Sequence, residues 1–477
     1  MSGRVQVLVD EGNQAFDQMH LVGWRKAEER YTKALRLGAG QAVQDRLELT
    51  RYLVLTREIE EKIIRPDQTR QLQTLCSEES PARHGVLCMA AKTTFRLGGL
   101  VAGEPPSLPP SALTGLEQLR DGSSAMDFVF LHVALQLAPP VYDREATSFL
   151  EREPDAPGSI YFRILNGESI EDVDAVLQHH PEFAELWAYR GQQLLGDKRY
   201  RPALEALNRA WELVPDYLPI LDLLGSTYLY DLRFPEPALR YYTEALRIFP
   251  REAEASLGRG VALHYLGRRS ESNEILRAFF DDAIDWTGTR VPARKAYMGR
   301  AAYFIAYNDL LSGLATPARL WVNRSLELLP NLEGARYLSG VLYFGEHDFR
   351  RATDELRQVV EPGTTICDAY FKMGMIQAQE DPSDRGPYFL SNGICLERKL
   401  AAGLQRIGQL GRWDLDPDIR TRMLESARRD LSEAKSAALA SAVSMLNTTQ
   451  DIFGPSGSTL VDALERLFDR LEAAPVH

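Results

Sequence analysis

Cys76, His84 and Cys88 stand in the spacing C-x7-H-x3-C. A structural zinc site takes four Cys or His ligands at short spacings. Here the first gap is too wide and no fourth ligand lies nearby, so two ordinary thiols are the better reading. His179 and His180 precede Pro181 at a helix end. Adjacent residues of a helix point in different directions, so this pair reads as solvated histidines at a C-terminus, where the helix dipole favours cations. His347-Asp348 falls in a turn between two helices. Nucleotide motifs are missing: the chain has no G-x-x-x-x-G-K-[ST], and Gly98-Gly99 lacks the further glycines of a dinucleotide fold. It has no G-x-S-x-G elbow for a nucleophilic serine. Its many carboxylates sit mainly on solvent faces as i,i+4 partners of Arg and Lys. No catalytic residue, metal ligand or cofactor is expected, and the chain is read as a protein other than an enzyme.

The bulk numbers agree. Of 477 residues, 44% are hydrophobic and 26% charged, which is globular rather than disordered or fibrous. A net charge of −12 disfavours a surface that tracks phosphates. The four cysteines, Cys76, Cys88, Cys367 and Cys395, are scattered, and reduced thiols in a cytosolic compartment are the simpler expectation. There is no signal-like N-terminus and no apolar run long enough to span a membrane. A cytoplasmic protein is expected.

The elements come from a repeat. In 184–217, Trp187, Gly191, Tyr200, Ala203, Leu207, Ala210 and Pro215 follow W-x3-G-x8-Y-x2-A-x3-L-x2-A-x4-P. The glycine and alanines let two helices approach, the large residues fill the space between, and the proline stops the second helix. A second unit, 218–252, keeps Gly225, Tyr228, Ala238, Tyr242, Ala245 and Pro250 with one residue added, assigned to the Pro235-Glu236-Pro237 turn. A third begins near Ala253, keeps Gly260 and Leu276, then decays, with Phe279 in a small-residue position. The pattern resumes in 299–332 and 333–366, and starts again at Cys367, with 396–408 as its second helix. Leu8, Gly12, Ala15, Phe16, Ala27, Tyr31 and Ala34 fit the same unit with three residues inserted near 20–24.

This unit resembles the tetratricopeptide repeat (TPR). The resemblance implies an all-α solenoid of helical hairpins, with irregular insertions and a C-terminal helical cap. The expected parts are TPR-like helices over 1–75, degenerate helical repeats with a Gly/Pro-rich loop (98–110) over 76–183, and a TPR block over 184–280. A loop follows at 281–292, a second block over 293–410, and capping or docking helices over 411–477. A non-TPR helical linker is the alternative for 76–183. In the tail, 416–447 reads as a long amphipathic helix, and Leu460, Leu464, Leu467, Phe468 and Leu471 form a one-sided stripe.

In the family the first helix of each unit lines a concave face. Here that stripe is Gln192, Asp222, Ser226, Tyr230, His264, Tyr265, Arg300, Tyr303, Tyr307, Tyr337 and Phe344. Its tyrosines suit binding a peptide or helix, and the expected role is a scaffold or adaptor holding a protein partner there, with no nucleic acid. Were these residues groove rather than core, Tyr303 and Tyr307 would tolerate alanine with stability nearly intact. The alternatives are core packing, a groove filled by the chain's own tail or insertion, or an assembly subunit of an enzyme complex. That subunit would dock, or form a homodimer, through the C-terminal helix. The first repeat also resembles TPRs that clamp a C-terminal carboxylate: Asn13 matches the clamp asparagine, but Val9 stands where the clamp lysine belongs. Losing that ammonium removes a charge-assisted hydrogen bond, so chaperone-tail binding is not expected.

Overall fold

The computed structural model describes residues 3–61, 63, 67–76, 82–97, 122–168, 170, 172–250, 252–284 and 291–380, with further positions among 388–429. No strand occurs among them. The chain divides into two compact units, Met1–Leu223 and Leu224–His477.

One turn geometry recurs through both units. Met19, Lys198, Arg233, Gly267, Gly313 and His347 all have positive φ, between 52° and 76°. Each lies two residues before the second helix of a hairpin: Leu21–Arg36, Tyr200–Leu213, Pro235–Ile248, Arg269–Ile284, Ala315–Leu328 and Phe349–Val360. A left-handed residue reverses the chain at the end of a helix. Four of these six positions are not glycine, and a side chain there costs about 1 kcal/mol.

The hairpins close on a socket. A Cβ on Gly191 would come within 2.6 Å of Leu207, so the missing side chain is what admits the leucine of the second helix. Gly12 opposite Tyr31, Gly225 opposite Tyr242 and Gly340 opposite Leu356 repeat the arrangement. Where Ala306 replaces the glycine, the smaller Val322 shares its cluster. Ala203, Ala210, Ala238 and Ala245 are fully buried, and helices Tyr200–Leu213, Pro235–Ile248 and Ala315–Leu328 each stop two residues before a proline.

Several expectations need correction. The extra residue of the second unit lies in the first helix, not in the 235–237 turn. Leu218–Ser226 runs on into a π-helical turn, Thr227–Asp231, where Leu232 N–H bonds the Thr227 carbonyl at 3.0 Å. Pro235 then occupies the first turn of the next helix, where its missing N–H costs nothing. The expected loop at 281–292 is helical at both ends, since Arg269–Ile284 and Val291–Leu311 enter it; 285–290 lie outside the described residues. Phe279 is buried despite its small-residue position.

The boundary expected at 184 is not where the units part. The Ala184–Gly196 and Tyr200–Leu213 hairpin belongs with the N-terminal unit, and ion pairs tie it there: Arg57 to Glu185 at 3.2 Å, and Arg25 to Asp216, just beyond the hairpin, at 2.7 Å. Over 76–183 the described helices have unequal lengths. Ser124–Leu137 and Pro139–Arg152 have 14 residues each, Pro157–Leu165 has 9 and Val173–His179 has 7. Ser124–Leu137 is buried on nearly every side, so it has no one-sided apolar stripe to betray it. The 98–110 loop, residues 430–447 and the 460–471 stripe fall outside the described residues; 417–426 are helical, as are the described positions within 396–408.

The reduced-thiol expectation is overturned. Cys76 pairs with Cys88 and Cys367 with Cys395, leaving no free cysteine. Spacing alone hid this, because each partner becomes a neighbour only when its helices fold together. Disulfides persist in oxidising compartments, so the thiol argument for a cytosolic setting falls away. No described helix is long and apolar enough to cross a membrane.

Candidate functional site

The C-terminal unit gathers most of the expected surface. Ala253–Tyr265 and Val291–Leu311 pack side by side and bring their aromatic residues together. The His264 ring lies 5.2 Å from both Phe304 and Tyr307, and 5.3 Å from Tyr265; Tyr303 lies 5.0 Å from Phe304 and 6.0 Å from Tyr307. These spacings are ordinary ring packing, so the rings form a continuous floor.

Exposure separates its members. Tyr230 is 54% and Tyr265 60% exposed. Their hydroxyls are nevertheless pushed above the ordinary tyrosine range by desolvation, Tyr230 to about 12. A side chain open to solvent yet ringed by protein is the mark of a concave surface. Tyr230 stands in the π-helical turn, whose extra residue re-aims the side chains that follow. Arg300 is exposed and close enough to Tyr230 to favour its phenolate, and Arg233 acts likewise on Tyr265.

Tyr303, Tyr307 and Tyr337 are only half-exposed and pack onto the cluster of Ala306, Val322 and Leu338. Tyr303 also lies against Gly334, where a Cβ would come within 2.8 Å of its ring. They are wall and core at once, so the expectation that alanine at Tyr303 and Tyr307 would leave stability intact does not hold. Tyr337 donates its hydroxyl to Asp368 at 2.6 Å. Phe344 sits apart, 5.8 Å from Phe349 with the Lys372 ammonium over its face. Ser226 is half-buried, while Gln192 (exposed) and Asp222 (half-buried) belong to the other unit.

Sequence reasoning passed over what holds the floor. The His264 Nδ1 donates to Asn308 at 2.7 Å, Asn308 donates to Ser272 and Asn273 at 2.9 Å, and Asn273 and Arg277 both donate to Asp309. Burial lowers the His264 pKa, so the ring is neutral at pH 7. A His-x-x-x-x-x-x-x-Ser spacing (264 and 272) carries no known signal, and the network becomes visible only once the helices pair.

The N-terminal unit holds a second feature the sequence did not announce, a buried ionic cluster. Arg57 reaches Glu185 at 3.2 Å and Glu61 at 3.3 Å, with its guanidinium 3.9 Å over the Tyr161 ring. Glu60 accepts from Tyr161 at 2.9 Å and lies 3.0 Å from His132 Nε2. Burial alone would raise the Glu60 pKa, but His132, Arg57 and the Tyr161 hydroxyl hold it below the usual range. Breaking such a cluster by removing one partner costs about 3–5 kcal/mol. Its groups are engaged with one another, and it reads as the lock of this unit. Asn13, the clamp-like residue, is likewise used internally and accepts from Tyr31 at 2.8 Å. His179 and His180 end their helix and border a cavity of about 630 Å³ beside Glu153, Asp155 and Asp172. No group of metal ligands occurs among the described residues.

Recurrent hairpins, each with a left-handed turn and a small-residue socket, define a helical-repeat protein. The hairpins are of tetratricopeptide-repeat type. No model of a known protein family matches the chain, and no curated protein matches it. Among solved structures, a tetratricopeptide repeat protein from Parabacteroides merdae is similar at 15% identity and a TM-score of 0.39, covering 59% of this chain and 98% of that one. PilF of Pseudomonas aeruginosa is similar at 18% identity and 0.38, covering 45% and 90%. YrrB, described as a TPR protein with an unusual peptide-binding site, is similar at 19% and 0.30, covering 40% and 93%.

Proposed function

We propose that the chain is a protein-interaction scaffold that holds a peptide or protein partner against the aromatic surface of its C-terminal unit. The observation that carries this reading is the pair Tyr230 and Tyr265, more than half exposed yet desolvated. Large, rigid aromatic side chains with a polar tip make efficient binding anchors. The supporting shell is rigid as well: His264 is fixed by Asn308, and Tyr337 by Asp368.

A photo-crosslinking residue placed at 230 or 265 tests the reading in the source cell. Adducts to one common partner are expected from both positions and not from Arg240, which is exposed on the second helix Pro235–Ile248. Equal crosslinking from all three positions would remove the case for this surface.

A further inference from the structure

The same surface constrains the chemistry of what it binds, and the inference that follows rests on the reading just given. Tyr230, Tyr265, Tyr303 and Tyr307 have no hydrogen-bond partner for their hydroxyls among the described residues, so the floor offers donors and acceptors that are unspent. A docked helix satisfies its own main chain and would bury those hydroxyls without partners, which is unfavourable. An extended segment presents bare carbonyls and amides, and so pairs with them.

Charge narrows the occupant further. Three arginines stand by the rings: Arg300 near Tyr230, Arg233 near Tyr265 and Arg269 near His264. Arg300 and Arg269 make no ion pair among the described residues. The nearby carboxylates are fewer and engaged. Glu254 accepts from Tyr297 at 3.3 Å, and Asp368 holds both Tyr337 and, at 3.4 Å, Lys372. A cationic rim on a chain of net charge −12 is a local inversion of sign. It also argues against an aromatic cage for an ammonium group, since such a cage needs rings around a gap. Here they pack directly on one another at 5.0–6.0 Å, and the arginines would repel the cation.

We propose that this surface takes an acidic peptide segment bound in an extended conformation. Tyr230 and Tyr265 supply ring faces and hydroxyls to the peptide backbone, and Arg300 pairs with its carboxylates.

The test is selection of displayed random 12-residue peptides on the full chain, on Tyr230→Ala/Tyr265→Ala and on Arg300→Glu. Enrichment of Asp/Glu-rich, helix-poor sequences is expected on the unaltered protein alone. A synthetic copy of an enriched peptide should lose about tenfold in affinity in each variant. Its binding should also weaken as ionic strength rises past about 0.1 M. Enrichment of basic or amphipathic-helical peptides that depends on Tyr230 and Tyr265 would overturn the acidic, extended occupant while leaving the groove reading standing. Enrichment indifferent to those tyrosines, or none at all, would overturn both.

Discussion

Tyr337 donates its hydroxyl to Asp368 at 2.6 Å, fastening the first helix of one hairpin, Glu333–Gly345, to the helix that opens the next, Cys367–Glu380. The bond sets the angle at which the last tyrosine of the aromatic surface stands, and Asp368 is the immediate neighbour of the Cys367–Cys395 bridge. Desolvation, and after it the Asp368 charge, push the Tyr337 hydroxyl well above its usual range. Tyr337→Phe is therefore expected to cost about 1 kcal/mol. In an ultraviolet titration it should leave the tyrosinate signal near pH 10 unchanged, because the lost group ionises at higher pH.

The left-handed turns give a stabilising substitution. Lys198 is exposed, with φ 60°, in the position that Gly267 and Gly313 fill elsewhere. Lys198→Gly relieves the steric cost of a Cβ there, partly offset by the greater freedom of glycine in the unfolded chain. A gain of up to about 1 kcal/mol is expected in urea unfolding, against a loss of about 1 kcal/mol for Gly313→Ala. An unchanged or lower midpoint for Lys198→Gly would show that the turn is held by other contacts.

His20 makes the N-terminal unit sensitive to acid. Its neutral Nδ1 accepts from the Gly23 N–H at 3.1 Å and caps Leu21–Arg36. Burial lowers its pKa from 6.5 to about 4, with Glu185 opposing. The folded pKa lies below the unfolded one, so the unfolded chain binds the proton first. Stability is then full above about pH 6.5 and falls as the pH drops towards 4, by about 3 kcal/mol at most. His20→Asn keeps a capping acceptor that does not titrate, and is expected to flatten that part of the stability profile measured by urea unfolding at stepped pH.

The two disulfides predict that protein isolated under thiol-blocking conditions and then denatured shows no reactive thiol, and four after reduction. Four thiols before reduction would restore the reduced-cysteine reading. The Cys367–Cys395 bridge joins Cys367–Glu380 to the helical segment around Cys395. Its reduction is expected to raise amide hydrogen exchange in Cys367–Glu380 more than in Tyr200–Leu213.

The hairpins were legible because their packing repeats: Gly191 against Leu207 and Gly340 against Leu356 are one contact at one spacing. The π-helical turn was legible only as an added residue. Where it lodged depended on which of two places strained less, and Pro235 already suited the start of a helix. Tyr230 and Tyr265 were found because a 3.6-residue period assigns them to one stripe. That same stripe could not separate them from the half-buried Tyr303 and Tyr307, since exposure depends on neighbouring hairpins. The Arg57 cluster and the His264–Asn308 bond join residues 128 and 44 positions apart, and no local pattern carries such pairs. Both cysteine pairs were hidden by the same distance between sequence and contact.

The central claim is that Tyr230 and Tyr265 are contact surface rather than core. The direct measurement is Tyr230→Ala/Tyr265→Ala, assayed for crosslinking at Tyr303 to the partner and for thermal unfolding. The account predicts that the partner adduct falls about tenfold while the melting temperature moves by no more than about 2 °C, as for side chains more than half exposed. A melting temperature lowered by about 8 °C or more, or an adduct of undiminished yield, would contradict it.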